Sequence, residues 1–127
     1  MGYQFRKHYT VQEARRLLPK IRLWFEQLDR ISDRLRKLDR RLSKLLEQGR
    51  DLGGDSVNEF VALLAQARCL IQEFSSREIV VQDLERGLID FPAILGGREV
   101  FLCWEKGEDD IEYWHDLDAG YAGRQPL

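Results

Sequence analysis

The sequence predicts an α+β protein: a long antiparallel two-helix coiled-coil hairpin over residues 10–78, then a small antiparallel β-meander of three to four strands and a tail over residues 79–127. Three observations carry this prediction. Apolar residues recur at steps of three and four through the first half of the chain. Short β-branched and aromatic runs, bounded by Gly, Pro and Asp, fill the last third. The length, 127 residues, is enough for one hydrophobic core, so residues 1–127 are read as a single domain.

The first helix has a marked start. Thr10-Val11-Gln12-Glu13 is a capping box, in which a hydroxyl takes a free amide of the first turn and a carboxylate reaches back. Ala14, Leu17, Ile21, Trp24, Leu28, Ile31, Leu35, Leu38, Leu42 and Leu45 then keep one stripe toward a partner. The helix should run to about Gln48 and stop at Gly49, which suits a left-handed cap. Pro19 removes one backbone bond and crowds the preceding turn, so a kink is expected between Arg15 and Pro19.

Gly49-Arg50-Asp51-Leu52-Gly53-Gly54-Asp55 reads as the turn, and Asp55 or Ser56 as the cap of a second helix ending near Arg77. Val57, Phe60, Leu64, Ala67, Ile71 and Phe74 repeat the heptad, and Val61, Leu63 and Leu70 widen it beyond the needs of one neighbour. A short loop makes the helices antiparallel neighbours, with Val57 expected near Leu45 and Phe74 near Leu28. The first part of helix one, from Val11 to Trp24, then overhangs and needs cover from the C-terminal region.

That region supplies strands at 79–83, at 87–91 with a stop at Pro92, at 99–104, and at 111–115 beyond the polar turn Lys106-Gly107-Glu108-Asp109-Asp110. In the central strand Val100, Leu102 and Trp104 alternate with Phe101 and Cys103, so both faces need cover. The tail from Asp116 to Leu127 reads as a loop that packs back through Tyr121.

Charge and targeting narrow the function classes. The net charge is -2. Residues 1–50 carry 14 basic and 6 acidic side chains, while residues 51–127 carry 6 basic and 16 acidic. The row Arg30, Arg34, Lys37, Arg41 and Lys44 could follow a phosphate backbone. A solvated face laced by pairs such as Glu26–Arg30 and Asp33–Lys37 is the simpler account, and nucleic acid is not an expected partner. No signal peptide and no membrane span is read, and two cysteines without ligand spacing suit reduced thiols, so a cytoplasmic protein is expected.

With these residues in hand, the sequence resembles a bacterial family known as domain of unknown function 2203. The resemblance rests on Tyr9-Thr10-Val11-Gln12-Glu13-Ala14 with Leu17-Leu18-Pro19, and on Gly87-Leu88-Ile89-Asp90-Phe91-Pro92. It continues through Val100-Phe101-Leu102-Cys103-Trp104 with Gly107-Glu108, through Tyr113-Trp114-His115, and through Gly120-Tyr121-Ala122-Gly123-Arg124. It implies a small helical protein with a C-terminal β element and implies no activity.

Candidate site residues lie in the β region. Asp90, Glu108, His115, Asp116, Asp118 and Arg124 could converge there, beside Trp104, Tyr113, Trp114 and Tyr121. The ligand-binding set read from the sequence is Asp90, Trp114, His115 and Arg124, which combines a carboxylate, an imidazole and a guanidinium with an aromatic wall. A salt bridge from Arg124 to Asp90 or Glu108 is the simpler account of that charge. His115-Asp116-x-Asp118 is a loose spacing and no HExxH or CxxC pattern occurs, so no metal and no cofactor is assigned. Nothing marks a nucleophile, no catalytic residue is named, and the question of an enzyme stays open. The surplus apolar width of helix two favours a non-enzymatic self-associating or adaptor protein, expected to be a homodimer, with any further protein partner unknown. The alternative is a small-molecule- or metal-binding protein, catalytic or not, with its site in the C-terminal β region.

Overall fold

The computed structural model describes residues 2–51 and 53–127; Met1 and Leu52, the latter in the expected interhelical turn, lie outside them. Two helices, α1 (Val11–Glu47) and α2 (Gly54–Ser75), precede five strands: β1 (Val80–Asp83), β2 (Leu88–Leu95), β3 (Arg98–Glu105), β4 (Tyr113–Asp116) and β5 (Gln125–Pro126). The sheet is antiparallel throughout, in the order β1-β2-β3-β4-β5. The expected α+β architecture holds, with one strand more than the expected three to four. The chain forms two compact units, one from the segment up to Arg22 with Glu73–Leu127, the other Leu23–Gln72.

The ends of α1 follow from local chemistry. Thr10 and Glu13 close the capping box, with Thr10 N donating to Glu13 Oε1 at 3.2 Å and Glu13 N to Thr10 Oγ1 at 3.1 Å. At the other end Gly49 takes φ 66°, its amide donates to Leu46 O, and the Arg50 amide donates to Leu45 O. That pair of bonds satisfies two carbonyls the helix would leave open. The helix runs unbroken through Pro19, whose side is exposed. At 1.5 Å per residue it is about 55 Å long.

In the helical unit the chain reverses and the Arg34 guanidinium grips the Glu59 carboxylate with two bonds, at 2.6 and 3.0 Å. Leu28, Ile31 and Leu38 are buried on α1. Phe60, Leu63, Ala67 and Leu70 are half-buried on α2. Leu63 and Leu70 therefore belong to the face turned to α1, where they line one groove with Ile31. The surplus face is a different one: Val57, Val61, Leu64 and Ile71 are exposed.

In the sheet unit the start of α1 buries Ala14, Leu18 and Ile21. Leu18 is fully covered and Leu17 only half, because a helix laid on a sheet meets a broad surface rather than one narrow seam. One face of the sheet carries Ile89, Phe91, Leu102 and Trp104, all buried, and receives Tyr9 edge-on to Phe91 and Arg22 over the Trp104 ring. Arg15 donates to Ile111 O at 2.9 Å and Arg22 to Asp109 O at 2.7 Å. The overhanging turns of α1 are thus covered from the C-terminal region, as their apolar pattern requires.

Two sequence expectations need correction. β2 does not stop at Pro92 but runs to Leu95. β1 pairs with β2 only from Asp90 back to Leu88, so Pro92 faces no third strand with its missing N–H, and its carbonyl accepts the Tyr9 amide at 2.7 Å. β2 then turns into β3 through Gly96 and Gly97, at φ 57° and 78°, the two left-handed positions a tight hairpin requires. The tail is not a plain loop: it makes a short 3-10 turn at Tyr121–Gly123 and adds β5 to the edge of β4.

An N-terminal arm covers the sheet's other face. Phe5 meets Phe101 edge-on at 5.4 Å. The Glu99 carboxylate accepts the amides of Gln4 and Phe5 and bonds His8 Nε2 at 2.7 Å, while Glu78 accepts the amides of Arg6 and Lys7. Glu78 holds φ 59°, a strained value for a residue with a Cβ.

Candidate functional site

The register of the sheet assembles the site. Asp90 on β2 lies directly opposite Cys103 on β3, and Phe101, two residues from Cys103, lies opposite His115 on β4. Side chains two apart share a face, so Asp90, Cys103 and His115 point the same way from three neighbouring strands. Asp90 and His115 are each 1% exposed, and the sequence expectation that they meet is realised: His115 Nε2 lies 2.9 Å from Asp90 Oδ1.

Every polar atom of this pair is engaged. His115 Nδ1 lies 2.7 Å from the Asp116 carbonyl. A carbonyl only accepts, so Nδ1 carries a hydrogen and Nε2 is the nitrogen facing Asp90. One proton is then shared between Nε2 and Oδ1. The second carboxylate oxygen, Oδ2, accepts from Gln82 Nε2 at 2.9 Å. Cys103 completes the group: the ligating atoms of Asp90, Cys103 and His115 all lie within 4.8 Å of one another. Burial pushes the Cys103 thiol up, the Asp90 charge pushes it further, and Arg124 opposes both. The thiol is therefore protonated at neutral pH.

A cavity of about 220 Å³ opens onto these residues, lined by Gln82, Leu88, Leu117, Asp118, Gly120 and Tyr121 in addition to the three. Leu117–Tyr121 come from the tail, so the segment read as a loop forms one wall of the site.

The other two sequence-predicted residues lie elsewhere. Trp114 precedes His115 on β4 and projects to the opposite face, opposite Leu102, with Arg98 over its ring at 5.7 Å. Alternation along a strand forbids two consecutive residues from sharing one pocket wall, and that rule removes Trp114 from the site. Arg124 stays on the site's side but is committed: it pairs with Glu108, the simpler expectation, and lies over the rings of Tyr113 and Tyr121 at 3.9 and 4.7 Å. Glu108 in turn is fixed by accepting the Glu105 amide at 2.7 Å. The aromatic cluster is thus divided, with Tyr113 and Tyr121 holding Arg124, and Trp104 and Trp114 on the far face.

Comparison with known proteins places the chain. The family model described as an uncharacterized conserved protein (DUF2203) matches residues 7–127. The chain belongs to DUF2203. The match includes α1, α2, all five strands and every residue of the site. No curated protein and no solved structure matches this DUF2203 chain. Among its described residues, no helix is long and apolar enough to cross a membrane.

Proposed function

We propose that this protein is a non-enzymatic, self-associating module in which a second copy covers α2. One observation carries the reading. Val57, Val61, Leu64 and Ile71, at steps of four, three and seven along one side of α2 with Arg68 between the last two, are 37%, 59%, 48% and 38% exposed. Aliphatic stripes of this length are uncommon on the surface of a monomer. Of the 22 residues of α2, Phe74 alone is buried among those described.

The stripe also indicates its own partner. In an antiparallel two-fold pairing centred on Leu64, Leu64 meets its copy, and Val57 of each copy meets Ile71 of the other, since these two lie seven residues either side of Leu64. A two-fold interface requires such self-complementarity, and an unrelated partner does not. The helix that carries the stripe is 22 residues, about 33 Å, long. A reducing, cytoplasmic setting belongs to the same reading, because Cys69 lies exposed on α2 as a free thiol.

Equilibrium sedimentation at micromolar concentration tests this. The wild type is expected at twice 15.0 kDa, and Leu64→Lys at 15.0 kDa with unchanged helix content by circular dichroism. A wild type that remains at 15.0 kDa across the range overturns the reading.

A further inference from the structure

We propose that Asp90, Cys103 and His115 form a binding site for one divalent transition-metal ion of the zinc type. The inference is independent of self-association, since all three residues belong to the sheet unit and the apolar stripe to the helical unit.

Donor chemistry selects the class of ion. A carboxylate oxygen, a thiol sulfur and an imidazole nitrogen are the three donor types zinc accepts. Hard cations such as calcium and magnesium take oxygen shells and have no use for sulfur. Geometry is compatible. Bonds of about 2.0–2.3 Å at tetrahedral angles put neighbouring donors roughly 3.3–3.7 Å apart. The pair Asp90–His115 stands at 2.9 Å and the whole group within 4.8 Å, so side-chain rotations of a few tenths of an ångström to about one ångström close the shell.

The supporting contacts are also in place. The Asp116 carbonyl holds Nδ1–H of His115, which leaves Nε2 aimed at the group. Gln82 orients the Asp90 carboxylate through Oδ2. Such outer contacts fix the tautomer and rotamer of metal ligands before the ion arrives. Three protein donors leave a fourth position, and the cavity lined by Asp118 and Tyr121 lies beside it with room for water or a small ligand.

Charge balance explains why a divalent ion fits a buried site. With one proton shared by Asp90 and His115 and another on Cys103, the group is neutral. Binding expels both protons and leaves a carboxylate, a thiolate and a neutral imidazole around a +2 ion. That assembly is neutral too, so the ion enters without adding net charge to the interior. The two protons leave to solvent through the cavity.

The test is a cobalt(II) titration of the metal-free full-length chain under reducing conditions. We expect one ion per chain and a thiolate-to-cobalt charge-transfer band in the near ultraviolet. Cys69→Ser should keep that band. Cys103→Ser, nearly equal in volume, should lose it while keeping the wild-type circular dichroism. Gln82→Leu should weaken binding about tenfold through the carboxylate it orients. Absence of the band in the wild type, its loss in Cys69→Ser, or its survival in Cys103→Ser overturns the assignment and leaves a buried ion pair.

Discussion

The pair Asp90–His115 makes a sharp stability prediction when the metal is withheld. Truncating His115 to Ala strands a carboxylate that is 1% exposed, with Gln82 and the Cys103 thiol as its remaining partners. His115 Nε2 lies 2.9 Å from Asp90 Oδ1, and its loss leaves that buried oxygen without its imidazole partner. Water entering through the adjacent cavity restores part of this, so a net cost of about 3–5 kcal/mol is expected, as for other broken buried pairs. With a urea slope of about 2 kcal/mol per molar, the midpoint should fall by roughly 2 M. Removing both charges together, Asp90→Leu with His115→Phe, should recover most of the loss, because no buried charge is left unpaired. Urea unfolding of the metal-free chain, followed by tryptophan emission to which the buried Trp104 contributes with Trp24 and Trp114, measures all three proteins. A midpoint for His115→Ala within about 0.3 M of the wild type, or a double variant less stable than either single one, would refute the reasoning.

Two further predictions follow from backbone and carboxylate geometry. Gly87 and Gly97 both hold positive φ, but a Cβ at Gly87 meets the Lys106 side chain at 2.6 Å while one at Gly97 meets nothing; Gly97→Ala should cost about 1–2 kcal/mol and Gly87→Ala measurably more, and equal costs by denaturant unfolding would contradict this. For Glu99, burial raises the carboxyl but bonds from His8, Gln4 and Phe5 outweigh it and leave it lowered. A lowered folded value means stability that is present above the ordinary carboxylate range near 4.3 and lost as pH falls through the folded value. Glu99→Gln should therefore destabilise at pH 7 and lose that penalty well below pH 4, whereas a penalty constant with pH would exclude the carboxylate as its source.

Periodicity carried most of the fold. Steps of three and four located α1 and α2, and the capping box and Gly49 located both ends of α1, because those signals are local. What periodicity could not decide was which apolar residue of a wide stripe faces what. Leu63 and Val61 sit two residues apart in the same stretch, yet Leu63 lines the groove with α1 and Val61 faces outward. That choice depends on where α1 lies, which is tertiary information. The same holds for Pro92: a proline in an edge position ends nothing, and only the short span of β1 makes that position an edge. β5 is two residues long and owes its existence to the free side of β4, so no window of sequence could announce it.

The site shows the same division more sharply. Asp90 and His115 could be singled out because ionisable residues inside apolar strands demand a partner. Cys103 carries no such demand, since a thiol is content in a core, and its spacing suits a reduced thiol. What joins it to the other two is register, with Asp90 opposite Cys103 and Phe101 opposite His115. Metal motifs on a helix or in a tight loop appear as fixed spacings because one element supplies several donors. A site spread over three strands takes one donor from each, and its spacings of thirteen and twelve residues record only the lengths of strands and turns. The usable signal was parity: counted along Phe101-Leu102-Cys103 and across to Trp114-His115, it separates His115 from Trp114 and joins it to Cys103 once the strands are paired. A search for ligands in sheet proteins therefore has to follow strand pairing before it follows spacing.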